Sequence, residues 1–220
     1  ANKNSTVAQF CLGVIYTNDE SVRDINKAIY YLTLASNNND KNAQHFLGIN
    51  YLKGKNFPND ANKGIHYLTL SANNNNENAQ ISLGFEYLKG KNVVKNIDKA
   101  IYYFRLSANQ NNINAEIILG IIYGDNLYLP KDVNKSIYYL YLAANKNNYF
   151  AQFFLGLSFL FEDQIIDVNK GIYYLTLSAN QNYSKAQYIL GKIYLDYNKI
   201  PRDINKAIYY LTLSSRQNYS

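Results

Sequence analysis

The sequence predicts an all-α fold, a solenoid of six two-helix repeats. Three observations carry this reading. A Leu-Gly pair recurs with its glycine at Gly13, Gly48, Gly84, Gly120, Gly156 and Gly191, spaced 35 or 36 residues apart. An alanine stands five residues before each glycine and an aromatic three residues after it (Tyr16, Tyr51, Tyr87, Tyr123, Phe159, Tyr194). Each unit is too short to bury an apolar face by itself and must stack on its neighbours.

The first helix of each unit is the one carrying Ala, Leu and the aromatic at a 4-and-4 spacing, which puts them on one stripe. Next comes a loop, in which all three prolines, Pro58, Pro130 and Pro201, sit two residues before a cap residue. The caps are Asp24, Asp60, Asn96, Asp132, Asp167 and Asp203, whose side chains accept the unpaired N–H groups of a helix's first turn. They open the second helix. Its small-residue column (Ala28, Gly64, Ala100, Ser136, Gly171, Ala207) marks close backbone approach, and a tyrosine follows three residues later in every unit. An invariant asparagine, Asn39, Asn75, Asn111, Asn147, Asn182 and Asn218, ends it, since Asn tolerates the left-handed conformation of a helix stop.

The expected boundaries are 5–39, 40–75, 76–111, 112–147, 148–182 and 183–220, with 1–4 as the tail of a preceding repeat. Ala1-Asn2-Lys3-Asn4 matches Ala144-Asn145-Lys146-Asn147, and the last four residues match 181–184, so the expectation is a piece of a longer array.

The pattern A-x-x-x-L-G-x-x-Y, a loop, then D-x-x-K-A and a helix stop resembles the Sel-one-like repeat family, relatives of tetratricopeptide repeats. The resemblance covers essentially the whole chain. It implies a right-handed superhelix and an adaptor role in multiprotein complexes. The chain departs from the family in placing Asn where a terminal Gly is preferred and Tyr where Trp is common. It also lacks the paired cysteines of the disulfide-stapled branch.

Composition narrows the function further. Cys11 is the only cysteine, so no disulfide forms within the chain and no cysteine-based metal cluster can be built. His45 and His66 have no helical His partner, and no phosphate loop or nucleophile motif occurs, so no catalytic, metal-binding or cofactor-binding residue is assigned. No stretch approaches the roughly 18 apolar residues of a membrane span.

A second stripe on the first helices stays apolar while varying in size. It includes Ile81, Phe85, Leu88, Ile117, Ile121, Phe150, Phe153, Leu157, Leu160 and Tyr188. The expected function is non-catalytic protein recognition, with these residues lining an apolar concave groove and Gln44, Gln80, Glu116, Gln152 and Gln187 offering hydrogen bonds at its edge. The competing expectation is that the stripe is buried between successive helices as core. Self-association through the array ends is a further possibility. The alternative function is recognition of an anionic surface, nucleic acid or membrane, along the ladder Lys27, Lys63, Lys99, Lys135, Lys170 and Lys206. A net charge of +6 over 220 residues is modest for that role.

Overall fold

The computed structural model describes residues 3–196 and 198–217, without the side chains of Lys3 and Asn4. The sixth helix stop, Asn218, and half of the expected tail 1–4 lie outside the described residues. Among them, twelve α-helices make up all the regular structure: α1 (Lys3–Asn18), α2 (Ile25–Asn37), α3 (Lys41–Lys53), α4 (Ala61–Asn73), α5 (Glu77–Lys89), α6 (Ile97–Ala108), α7 (Ile113–Gly124), α8 (Val133–Asn145), α9 (Tyr149–Phe161), α10 (Val168–Asn180), α11 (Ser184–Asp196) and α12 (Ile204–Ser215). Helix α1 already begins at Lys3, inside the stretch expected to belong to a preceding repeat.

Two compact units form, Ala1–Ala115 and Glu116–Ser220. In the first, α1 packs on α2, α3 on α4 and α5 on α6, and α2 and α4 pack on α3 and α5 respectively. In the second, α9 packs on α10 and α11 on α12, while α8 and α10 contact α9 and α11 respectively.

Each even helix begins where its cap residue accepts the backbone N–H three residues on, as Asp24 does from Lys27 and Asn96 from Lys99. Odd helices use the same device at Asp40, Asn76 and Asn148. Even helices stop at Asn39, Asn75, Asn111, Asn147 and Asn182, whose φ values of 56° to 64° are left-handed. Five predicted asparagine stops are therefore present as such.

The core of the first unit gathers Ala28, Leu32, Ala43, Leu47, Tyr51 and Phe57, and a second cluster holds Leu68, Ala79 and Leu83. The second unit gathers Phe153, Leu160, Leu175, Leu190 and Ile193. Full burial of each such leucine, isoleucine or phenylalanine side chain contributes about 1.5–3 kcal/mol. The glycine column lets paired helices touch. A Cβ on Gly156 would lie 2.8 Å from Leu175 Cγ and 3.0 Å from the Gly171 carbonyl, and one on Gly171 would lie 3.1 Å from the Gly156 carbonyl.

Candidate functional site

The apolar stripe of the odd helices divides in two. Leu88, Leu160, Ile117 and Phe153 are buried. Leu160 shows why, because a Cβ on Gly171 would meet it at 2.5 Å: it fills the space over the small residue of the following helix. Phe153 and Leu160 belong to the second unit's core. These four act as packing, and the core expectation holds for them.

The rest of the stripe is accessible. In the first unit, Ile81 and Phe85 are half-buried, with Phe85 set edge-on to Phe104 at 5.2 Å. In the second unit, Ile121 and Tyr188 are each 39% exposed, and Phe150 and Leu157 are half-buried. Phe150 packs edge-on against Phe154 at 4.8 Å, and Ile121, Phe154, Leu157 and Phe161 wall one cavity of about 290 Å³. Phe161 is 57% exposed. Phe154, two residues before Gly156, was not foreseen in this surface; its signal was an apolar residue at the same offset in Phe46, Ile118 and Ile189.

The five residues expected at a groove edge are buried, which corrects that assignment. Gln44 Nε2 donates to the Ser36 carbonyl at 3.2 Å, and its Oε1 accepts from Asn74 Nδ2 at 2.8 Å. Gln80 does the same with Ala72 O and Gln110, and Gln187 with Ala179 O and Gln217. Gln152 donates to Asn147 Oδ1 and accepts from Gln181. Each amide thus ties the end of one even helix to the end of the next, which uses up both its donor and acceptor sides. Glu116 keeps the register with different chemistry: only 1% exposed, its Oε1 takes a 2.6 Å ion pair from Lys146 Nζ, and its Oε2 has no hydrogen-bond partner among the described residues.

The lysine ladder is charge-balanced in five of its six repeats. Five of the six lysines pair with their own cap aspartate at 2.8–3.6 Å. All six ammonium groups also sit 4.9–5.4 Å from the ring of the odd-helix aromatic. That ring is itself stacked on the even-helix tyrosine, with centroids 5.7–6.0 Å apart in all six repeats. Lysine, ring and ring make a repeated surface stack, with each cation attracted to the negative ring face.

His45 lies in the first unit beside Phe46, Ile49 and Lys53. Burial pushes its imidazole below the ordinary value of 6.5, and nearby Lys53 adds to the shift. Among the described residues no cluster of three His, Cys, Asp or Glu side chains is placed to hold a metal ion, and no helix is long and apolar enough to cross a membrane.

The sequence matches the Sel1 repeat over residues 6–40, 41–76, 78–112, 113–148, 150–183 and 184–219. No curated protein matches it. Among solved structures, a Sel1 repeat protein from Oxalobacter formigenes is similar at 25% identity with a TM-score of 0.77, covering 96% of this chain and 88% of that one. The protective antigen c5321 of uropathogenic Escherichia coli, which displays an SLR fold, is 23% identical with a TM-score of 0.54, covering 100% of this chain and 55% of that one. A putative Sel1 repeat protein from Klebsiella pneumoniae is 17% identical with a TM-score of 0.52, covering 87% and 96%. Proteins built of Sel1 repeats generally serve as protein–protein interaction scaffolds and are typically non-catalytic. With six matched repeats spanning nearly its whole length and two helices in each, this chain belongs to the Sel1 repeat family.

Proposed function

We propose that the chain is a non-catalytic adaptor and that a partner polypeptide docks on the odd-helix face of the second unit, on Ile121, Phe150, Leu157, Phe161 and Tyr188. One observation carries this reading: the stripe closes only partly into core there, and two large apolar side chains, Phe161 and Ile121, are exposed beside a cavity. Exposed aromatic anchors next to a recess are what a partner's own apolar side chains would cover. In the first unit, Ile81 and Phe85 offer a smaller patch of the same kind.

The anionic-surface alternative has less support. Five of the ladder lysines already face a carboxylate, so little uncompensated charge remains to attract phosphate groups.

The test is to capture partners from source cells with the native chain and with a Phe161→Asp/Tyr188→Asp variant, then reconstitute each interaction from purified proteins. Both substitutions are on exposed positions, so helicity and Tm should stay near native. A partner that binds the native chain and is lost from the folded variant supports the docking face. Partners that bind both equally overturn it.

A further inference from the structure

In repeats two and five, a leucine four residues after the Leu-Gly glycine fills the space over a glycine of the following helix. A Cβ on Gly64 would meet Leu52 Cγ at 2.6 Å, and one on Gly171 would meet Leu160 Cγ at 2.5 Å. Repeats three and six pair leucine with alanine at these two positions, Leu88 with Ala100 and Leu195 with Ala207. Repeat four has Gly124 and Ser136 instead. The leucine is missing, and Ser136 restores little of its volume, because its Oγ is tied back to the Gly120 carbonyl at 2.7 Å.

What remains is the cavity of about 290 Å³, floored by Gly120, Gly124, Ser136 and Leu140 and opening between Ile121, Phe154, Leu157 and Phe161. Its mouth carries Asp125, Lys131 and Glu162. Lys131 Nζ is held 2.6 Å from both Glu162 carboxylate oxygens, which leaves the exposed Asp125 carboxylate as the mouth's net charge.

We propose that this cavity receives one leucine side chain from a partner polypeptide, with a neighbouring lysine or arginine of that partner reaching Asp125. The inference rests on the docking face proposed above and names the chemistry of its anchor. Leucine is the occupant because the same space in repeats two and five is filled by leucine over a small residue. The basic neighbour follows from the negative mouth, since an opposite charge at the rim steers the approach and fixes its register. An unfilled apolar cavity forfeits the contacts its lining would otherwise make, so filling it is favourable for a side chain of matching shape.

The probe is a blocked dipeptide, N-acetyl-Leu-Lys-amide, titrated into methyl-labelled protein and followed by NMR. The Ile121, Leu140 and Leu157 methyl signals should move. N-acetyl-Ala-Lys-amide, which lacks three carbons, should bind roughly tenfold or more weakly, and N-acetyl-Leu-Glu-amide should bind more weakly than the lysine dipeptide. A Gly124→Leu/Ser136→Gly variant, which installs the pair found in repeats two and five, should raise Tm and abolish the Leu-Lys response. Equal responses to the leucine and alanine dipeptides overturn the proposal even if the variant fails to fold. So does an unchanged response in the folded variant. A partner lost on Phe161→Asp/Tyr188→Asp but retained by the plugged variant leaves the docking face standing and removes the leucine anchor. A self-association in sedimentation that the plugged variant dissolves would make a second copy of this chain the occupant and overturn the partner reading.

Discussion

At the scale of single residues, the constraints are steric and electrostatic. Gly156 has the Gly171 carbonyl and Leu175 where a methyl group would go, so Gly156→Ala should destabilise the second unit by about 1–3 kcal/mol, read by urea unfolding. The Glu116–Lys146 pair makes a sharper case. Lys146→Ala leaves a buried carboxylate uncompensated and should cost about 3 kcal/mol or more, whereas Glu116→Gln/Lys146→Gln, which copies Gln80–Gln110, should lie close to native or above it. A double-mutant cycle measures the coupling directly. His45 gives a pH signature: its folded value is depressed, so the folded state binds its proton less readily than the unfolded chain does. Its contribution is fully present above 6.5 and is lost as pH falls through the lower folded value. Replacing His45 by Asn should flatten the slope of stability against pH across that window, as followed by thermal melts at successive pH values.

At the scale of elements, the sequence was most legible where one residue does one local job. Among the described residues, cap aspartates, asparagine stops and the Leu-Gly column appear where the repeat placed them, because each answers to its own few neighbours in the chain. Asn75→Ala should destabilise by about 1 kcal/mol and Asn75→Gly should not, since only the alanine is penalised at φ 56°. The Asp24, Asp167 and Asp203 carboxyls are held below 3.8 chiefly by backbone N–H donors, and Asp132 chiefly by the Lys135 side chain. Their support of the even helices is therefore present above that value and fades as acid protonates them. The glutamine column misled for a physical reason. Helical periodicity assigns Gln44 and Gln80 to a face, but only the fold shows that the ends of two even helices converge on that face and cover them. The cavity was missed for a related reason: Gly124 is informative only beside Ser136, twelve residues on, because the two share one space between helices.

For the whole molecule, the balance of charge separates the two functional readings. Partner binding through apolar anchors should change by no more than about threefold between low and high salt, whereas binding through unpaired lysines would weaken steeply. An affinity measured across a salt series decides between them. Apolar stripe positions were legible from the sequence as a set. Their division into core (Leu88, Ile117, Phe153, Leu160) and surface (Ile121, Phe150, Leu157, Tyr188) was not, because it depends on how closely neighbouring helices approach.

The amide ladder also bears on how such an array can grow. Both members of each linked pair, Gln44 with Asn74, Gln80 with Gln110 and Glu116 with Lys146, fall within one repeat, 30 residues apart. A genetic duplication or loss that cuts at the turn between repeats carries each pair intact, so the ionic version travels as a unit and never meets an amide. A crossover in the loop between the two helices of a repeat would join Glu116 to another repeat's asparagine or glutamine and strand its carboxylate. Gene copies recombined at that point should be selectively purged, which makes the inter-repeat turn the natural seam of the gene.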